Sequence, residues 1–283
     1  MWKVLFGKND DFARAIVGRL DSTRYKADFA SIEDADLYRY DCVIPFLLKD
    51  YEVLERNESL EGMKFWHPSS PIVKLCHDKL AINRLLLQGA FADVVPPLIK
   101  RGSTSFPYIL KRRIDANGHR SHIVMNRNDE AAIEDLIQSP KYFRQAYIPG
   151  PVEYALHVLM INQKTVYSQV VKYEMGRDYY VKGRNLPAQS ATLIPDDGHM
   201  EIFAPLLASL GYTGTCCINY KFLDGQPKFM EINPRFGYSL CMDINRYLEA
   251  YIGSLAHPDV VPSVRQRMAR SIGARLSALR GRL

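Results

Sequence analysis

The runs CCINYKFL and KFMEINPRF carry polar residues at alternate positions of otherwise apolar sequence. Side chains alternate along a strand, so residues two positions apart share a face. On the second run, Glu231, Asn233 and Arg235 share one face. On the first run, Asn219 and Lys221 share one face. Such polar groups are seldom placed in an apolar segment without a partner, so we ask what charged ligand they could bind.

This set of side chains could bind a metal ion and a phosphate. A carboxylate and a carboxamide oxygen two residues apart are hard ligands that suit Mg²⁺, which usually keeps water and phosphate oxygens as well. The guanidinium of Arg235 could hold a phosphate through its planar set of donors. A surface strand with its polar residues in water is the alternative. Pro234 ends the strand beside these groups, which favours the ligand site.

The elements before this segment alternate between strands and helices. In the first 70 residues we predict a helix over 11–20 and strands over 3–6, 25–30, 41–46 and 63–67. This alternation indicates an α/β layer with a mainly parallel sheet. The first strand is followed by LFGKNDDF, with a single glycine, so the GxGxxG dinucleotide motif is absent.

The rest of the chain reads as a second unit. A helix begins near Pro71 and ends near Gly89, and a connector rich in proline, glycine and serine follows. Strands are predicted for PYILKRR, HIVM and 165–172, and helices for 131–138 and 200–210. The two runs that carry the polar residues form a β-hairpin, with Asp224-Gly225 as its turn.

Composition narrows the class of protein. The chain has 283 residues, 47% of them hydrophobic and 24% charged, as in an ordinary globular protein. No apolar run approaches the ~20 residues that a membrane span needs, and the amino terminus lacks the long apolar core of a signal peptide. The five cysteines are scattered without a CxxC pair, which fits core residues in a reducing compartment. We therefore expect a cytoplasmic protein.

The net charge of +6 is concentrated in the tail RQRMARSIGARLSALRGR, which has no acidic residue. We expect a basic amphipathic helix there, with Met268, Ile272 and Leu276 on its apolar stripe. A helix packed on its own domain is the ordinary interpretation of such a tail. We do not expect nucleic acid as the partner, and salt-sensitive DNA binding would be the sign of it.

Several segments together resemble the ATP-grasp superfamily, which includes biotin carboxylase, carbamoyl-phosphate synthetase and the peptide-forming ligases. MEINPRFGYS resembles its metal-binding strand, and HDKLAINRLLLQGAFADVVPP its "DK" helix and connector. PYILKRRIDANGHRSHIV resembles the strand, phosphate-covering loop and strand of its small subdomain, and YFRQAYIPGPVEY its adenine-lining hinge. The segments occur in the family's order and span about residues 70 to 250.

The resemblance implies an α/β (α+β) ATP-grasp fold with two subdomains behind a Rossmann-like layer. The implied boundaries are 1–70 for that pre-ATP-grasp layer and 71–104 for a helix and connector. The small subdomain with the phosphate loop would then occupy 105–149. The large subdomain, with the metal site and the basic carboxyl-terminal helix, would occupy 150–283.

Carried over by position, the family's nucleotide contacts fall on a defined set of residues. Lys79 and Lys111 would contact the ATP phosphates, and the loop 115–121, with Gly118, would close over them. The family often has a carboxylate after the hinge glutamine, whereas here Gln145 precedes an alanine. Three further hinge residues would hold the nucleoside: Tyr147 and Ile148 at the adenine, and Glu153 at the ribose hydroxyls.

The implied metal ligands for Mg²⁺ are Glu231, Asn233 and Asn219. Lys221 stands where relatives often carry Glu or Gln, and a protonated lysine cannot ligate a metal. Either Asn219 replaces that ligand, or Lys221 offsets phosphate charge beside a smaller metal site. A degraded, weakly active site is the third alternative. Arg235, Lys111 and Lys221 are the implied catalytic residues.

The implied reaction is an ATP-dependent ligation, in which a substrate carboxylate becomes an acylphosphate that an amine attacks. Positioning and charge neutralisation suffice for such a step without a protein nucleophile. The partners would be small-molecule or peptide carboxylates and amines, bound near Arg235 and the loop 172–184, and the protein could form a homodimer. A phosphotransferase and a non-catalytic ATP-binding module are the alternatives.

Overall fold

The computed structural model describes residues 1–56, 65–100, 102–103, 105–115, 118–184 and 186–256. The strands of this part of the chain form three separate sheets. No helix within it is long and apolar enough to cross a membrane. The arginine-rich tail lies outside the described residues, and so do two residues of the phosphate loop, 116 and 117.

The first sheet is parallel and contains three strands in the order β2-β1-β3. These strands are β1 (Trp2–Gly7), β2 (Tyr25–Ala30) and β3 (Cys42–Ile44), with helix α1 (Asp10–Val17) after β1 and α2 (Leu48–Arg56) after β3. Three of the four predicted strands and the predicted helix are therefore observed. The fourth, over 63–67, is not: residues 65–67 form no strand, and the first two lie outside the described residues.

The long helix predicted from Pro71 to Gly89 is two helices, α3 (Ser70–His77) and α4 (Lys79–Leu87). The break falls at Asp78, whose backbone is extended and whose carboxylate accepts hydrogen bonds from the N–H groups of Leu80 and Ala81. A short acidic side chain is a favoured N-cap because it satisfies amides that have no partner in the helix. Arg113 binds the same carboxylate. The cap makes Lys79 the first residue of α4.

The second sheet is antiparallel, with the order β5-β4-β6. Its strands are β4 (Tyr108–Arg112), β5 (His122–Val124) and β6 (Tyr142–Ala146). The helix predicted over 131–138 is instead a pair of short helices, α5 (Arg127–Ala131) and α6 (Glu134–Gln138). The side chain of Asn126 caps α5 by accepting from two backbone N–H groups.

The third and largest sheet is antiparallel, with the order β11-β10-β7-β8-β9. Its strands are β7 (Val152–Ile161), β8 (Lys164–Glu174), β9 (Ser190–Ile194), β10 (Gly214–Leu223) and β11 (Gln226–Asn233). The predicted hairpin joins β10 and β11, and both residues of its turn, Asp224 and Gly225, have positive φ. The remaining helices are α7 (His199–Ser209) and α8 (Ile244–Ala256).

The two faces of β10 have different environments. Cys216, Ile218 and Tyr220 are buried in a core cluster with Phe203 and Leu206 of α7. The odd-numbered residues Cys217, Asn219 and Lys221 face the opposite side, where they line a cavity. The three sheets lie within the segments 1–70, 105–149 and 150–283, and the domain boundaries themselves stay a prediction.

Candidate functional site

A cavity of about 660 Å³ lies where the antiparallel sheets meet the amino-terminal layer. Its wall includes residues from β4, β7, β10 and β11, and from the start of α1. The structure brings every site residue predicted from the sequence to this wall: Lys79, Lys111, Gly118, Gln145, Tyr147, Ile148, Glu153, Asn219, Lys221, Glu231, Asn233 and Arg235. Their individual roles remain predictions.

Strand register sets the order of the side chains on the cavity floor. Asn219 of β10 is paired with Glu231 of β11 on one side and with Ala155 of β7 on the other. One step along the strands, Cys217 is paired with Asn233 and with His157. Since β7 places residues 153, 155 and 157 on one face, the floor runs from Glu153 at the hinge end, past Ala155, to His157.

Glu231 is the centre of a hydrogen-bonded network. Its Oε2 lies 2.9 Å from the Lys79 ammonium. Its Oε1 accepts from the amide nitrogens of Asn219 at 2.9 Å and Asn233 at 3.0 Å. Burial acts to raise the pKa of this carboxyl, but the Lys79 charge, the hydrogen bonds from Asn233 and Lys79, and the charge of Lys111 lower it well below its ordinary value. Glu231 is therefore a carboxylate at neutral pH.

Glu231, Asn219 and Asn233 could hold a divalent cation only if other ligands complete its coordination. Glu231 offers two carboxylate oxygens, and Asn219 and Asn233 each offer a carboxamide oxygen, which are the hard donors that Mg²⁺ prefers. Among the described residues no group of three or more His, Cys, Asp or Glu side chains could hold a metal ion. The donor set thus fits Mg²⁺ that keeps water and phosphate oxygens as its other ligands.

Lys111 extends from β4 into the same cavity, and no carboxylate among the described residues forms an ion pair with it. Its ammonium donates to Gln145 Oε1 at 2.8 Å and to the Met230 carbonyl at 3.3 Å. Gln145 is held in turn by Asn83 and by the Pro96 carbonyl, which accept from its amide at 2.7 and 2.9 Å. Burial lowers the pKa of Lys111 to about 8. The fold thus holds a nearly buried cation where an anion could approach it.

Lys221 lies at the hinge end of the cavity wall. Its ammonium donates to the hinge carbonyls of Ile148 at 3.1 Å and Gly150 at 2.9 Å. It lies 4.1 Å from the centre of the Tyr180 ring and 5.5 Å from that of Tyr147. The role of Lys221 as a catalytic residue stays a prediction. The flexible stem carries the charge from the face shared with Asn219 to the hinge, and burial lowers its pKa to about 8.

Glu153, predicted to bind ribose, already has a cationic partner. Its carboxylate is 3% exposed and forms an ion pair with Lys182, which comes from the loop after β8. The Lys182 ammonium also lies 4.2 Å from the centre of the Tyr173 ring. A ribose hydroxyl could reach Glu153 only beside this lysine. Lys182 is thus a cavity residue that the sequence indicated only as one charge among several in the loop.

The loop that carries Lys182 is fastened to the hinge and to the phosphate loop. The Tyr147 hydroxyl accepts from the Tyr180 N–H at 2.8 Å and donates to the Tyr180 carbonyl at 2.9 Å. Arg184 donates to the Ser121 carbonyl. A Cβ at Gly118 would lie 3.2 Å from the Val181 side chain, so the two loops are in close contact. Together they cover one side of the cavity.

The opposite end of the cavity is lined by Arg235 and the amino-terminal layer. Within the part of the chain that the structure describes, no acidic side chain lies within ion-pair distance of the Arg235 guanidinium. Asn9 and Phe12 line this end together with Tyr238, whose ring meets that of Phe12 edge to face. This end thus combines a free guanidinium with aromatic surface, which suits an organic anion.

His157 is a buried cavity residue that sequence reasoning missed. Its Nε2 lies 2.7 Å from the Ser239 hydroxyl, while its Nδ1 has no hydrogen-bond partner among the described residues. Burial, together with the Lys182 charge, lowers its pKa to about 3. A Cβ at Gly237 would lie 2.6 Å from its Cε1. Because His157 stands in the apolar run VEYALHVLMI, nothing local distinguishes it from a core residue.

Comparison with known proteins shows a similarity in fold to solved structures. No family model and no curated protein sequence matches the chain. Among solved structures, D-alanine–D-alanine ligase from Bacillus anthracis in complex with ATP is similar at 16% identity with a TM-score of 0.58, covering 89% of this chain and 95% of that one.

Two further solved structures show the same similarity. Phosphoribosylamine–glycine ligase from Thermotoga maritima has 17% identity and a TM-score of 0.61, over 89% of this chain and 75% of that one. The biotin carboxylase domain dimer of Hydrogenobacter thermophilus 2-oxoglutarate carboxylase, with MgADP, ADP and bicarbonate, has 14% identity and a TM-score of 0.56, over 84% and 65%. These proteins have in common the fold that the motifs predicted, and the chain has the ATP-grasp fold.

Proposed function

We propose that this protein is an ATP-dependent ligase that converts a substrate carboxylate to an acylphosphate and joins it to an amine. The observation that carries the proposal is the network of Lys79, Asn219 and Asn233 around Glu231, with Lys111 on the wall of the same cavity. These groups offer oxygen ligands for one cation and two ammonium groups for phosphate. The similarity in fold to a D-alanine–D-alanine ligase in complex with ATP, to a phosphoribosylamine–glycine ligase and to a biotin carboxylase domain with MgADP supports this interpretation.

In this proposal, the hinge residues Tyr147 and Ile148 hold the nucleobase, and Lys79 and Lys111 hold the phosphates. Glu231, Asn233 and Asn219 would hold Mg²⁺. When bound, the metal and nucleotide supply the phosphoryl group and neutralise charge on the oxygens around it. The protein's own contribution is to position the reacting groups and to stabilise their charge with preorganised donors.

In this proposal, the acceptor carboxylate binds at the end of the cavity floor that is farthest from the hinge. Beyond the Glu231 row come Asn233 and then Arg235, whose guanidinium is available for an anion. A carboxylate held there would lie on the side of the Glu231 network away from the hinge, where a transferred phosphoryl group would arrive. Residues of the loop around Lys182 line the cavity, where they would shield an acylphosphate from hydrolysis by water.

Release of ADP from Mg-ATP tests the proposal across a panel of amino acids, hydroxy acids and small peptides. We expect release that requires both a carboxylate and an amine. Glu231→Gln removes the charge at the centre of the network and should lower the rate by about 10²-fold or more. Glu201→Gln is the matched control, because Glu201 is exposed on α7 and does not line the cavity.

The outcomes separate the alternatives. A stable phosphorylated product that forms without an amine would replace the ligase with a phosphotransferase. Nucleotide binding without turnover on any member of a broad panel would favour a non-catalytic ATP-binding module. Calorimetry that detects no binding of ATP with Mg²⁺ to the folded wild-type protein would overturn the proposal.

A further inference from the structure

A second, smaller cavity adjoins the first at Arg235, and the proposed reaction leaves it without a role. Its volume is about 180 Å³. Lys79, Asn233 and Arg235 belong to the walls of both cavities. A cavity of about 150 Å³ can hold a molecule the size of benzene, so the second cavity has room for an amino group and the few carbon atoms next to it. A molecule bound there would lie beside Arg235, where the proposed function puts the substrate carboxylate.

The second cavity is formed by the start of α2, the end of α3 and the end of β11. Apolar residues form much of its wall: Leu47, Leu48, Cys76, Ile232 and Pro234. Two residues of the wall that the first cavity lacks, His77 and Asp115, carry groups that can accept a proton or a hydrogen bond. The combination of a small apolar space with two acceptors suits a compact ligand that brings donors.

His77 is a half-buried residue that the nucleotide site does not use. It is the last residue of α3, and no described residue is hydrogen-bonded to its ring nitrogens. Burial and the charges of Arg235 and Lys79 lower its pKa below the ordinary value of 6.5, although the charge of Asp78 acts in the opposite direction. The imidazole is therefore neutral at pH 7 and can accept a proton.

Asp115 adds a carboxylate to the same wall. Its Oδ2 accepts from the Arg120 N–H at 3.0 Å, and no cationic side chain among the described residues forms an ion pair with it. An ammonium group complements such a carboxylate. Lys79 and Arg235 would at the same time favour the neutral form of a bound amine, because like charges nearby disfavour the protonated form. The neutral form is the one that can attack a carbonyl carbon.

We propose that the second cavity binds the amine substrate and that His77 is the base that deprotonates it. This inference rests on the proposed function, since it assigns the amine of the same reaction. The ammonium group held at Asp115 gives one proton to His77, and its lone pair forms a bond to the acyl carbon. The bond from that carbon to the phosphate oxygen breaks, its electron pair leaves with the phosphate, and the phosphate takes the second proton of the amine.

Two nucleophiles test the proposal on the full-length protein with Mg-ATP and a substrate carboxylate. Hydroxylamine traps an acylphosphate as a hydroxamate and is mostly unprotonated at neutral pH, so it needs no base to deprotonate it before it attacks. An amino acid of the panel arrives as an ammonium and does need one. His77→Gln keeps a hydrogen-bonding side chain that cannot take up a proton. We expect amide formation to fall by about 10²-fold in this variant and hydroxamate formation to stay unchanged.

Asp115→Asn tests the cavity without changing His77. It removes the charge that would hold the ammonium, so the KM for the amine should rise by about tenfold, again without an effect on hydroxamate formation. His199→Gln is the matched control, because His199 begins α7, lines neither cavity and is hydrogen-bonded to the Tyr220 hydroxyl. It should leave both rates unchanged.

The ratio of the two products decides the outcome. Amide and hydroxamate formation that fall equally in His77→Gln and Asp115→Asn would place the defect before amine attack and overturn the proposal. Unchanged amide formation in His77→Gln overturns it as well, and so does a wild type that forms hydroxamate but joins no amine of the panel. A wild type that forms no hydroxamate with any carboxylate overturns instead the proposed function on which the inference rests.

Discussion

The clearest quantitative prediction concerns His157 and acid stability. His157 is fully buried, and its pKa in the folded protein is about 3, below the ordinary value of 6.5, because burial disfavours the imidazolium and Lys182 lies near it. We consider His157→Gln, since a glutamine can keep the hydrogen bond to Ser239 but cannot take up a proton in this pH range.

The direction in which stability changes with pH follows from proton binding. Between the two pKa values, the unfolded chain binds a proton at His157 and the folded chain does not. Stability therefore rises with pH across this window and is lost as the pH falls below 6.5. At about pH 5 the loss attributable to this residue is roughly 2 kcal/mol, taking about 1.4 kcal/mol for each pH unit below the unfolded value.

Urea unfolding near pH 7 and near pH 5 measures the effect. Other groups also titrate over this range, so the informative quantity is the change in unfolding free energy of the wild type minus that of His157→Gln. We expect the wild type to lose about 2 kcal/mol more than the variant. His119→Gln, on an exposed side chain, serves as the control and should match the wild type at both pH values.

Equal losses in the wild type and His157→Gln would refute the reasoning. They would mean that the folded protein accepts a proton at His157 as readily as the unfolded chain does. The imidazole would then have access to water or to an acidic partner that the fold does not show. A larger loss in the variant would contradict it too, because removing a group that titrates unfavourably cannot increase acid sensitivity.

Two further predictions test the walls of the cavity. Burial lowers the pKa of Lys111 to about 8, so its charge is lost as the pH rises through that value. The affinity for a nucleoside triphosphate should then fall by up to about tenfold per pH unit. Calorimetry should show that the affinity of Lys111→Met depends less on pH than that of the wild type. Gly237→Ala places a methyl group 2.6 Å from His157 Cε1 and should cost about 1–3 kcal/mol in denaturant unfolding. Gly253→Ala in α8, which meets no atom within 4 Å, should instead be neutral or stabilising.

Local signals in the sequence indicated the hairpin residues of the cavity, and the resemblance to the ATP-grasp superfamily indicated the others. Alternation along β10 and β11 put Asn219, Glu231 and Asn233 on one face, and strand register then brought them together. The hairpin turn at Asp224-Gly225 was legible from its residue types alone. The helix boundary at Asp78 was harder to predict from the sequence. Asp78 is a good N-cap, but the apolar pattern continues across it and concealed the break before Lys79.

What the sequence could not show depends on distance in three dimensions. The stem of Lys221 is long enough to reach the hinge, and no spacing rule tells where its charge ends. His157 became a cavity residue only through its pairing with Cys217 and the side chain missing at Gly237. Likewise, the ion pair between Glu153 and Lys182 joins residues 29 positions apart. In the sequence, nothing indicated that these two residues are partners.

The phenol of Tyr147 joins the hinge to the loop that carries Lys182. Tyr147 belongs to the hinge, yet its hydroxyl is bonded to the backbone of Tyr180, in the loop that carries Lys182. A ligand that displaces this ring would therefore also displace the backbone of the loop at Tyr180, to which the hydroxyl is hydrogen-bonded. What occupies the hinge should therefore affect the position of the loop that lines the other side of the cavity.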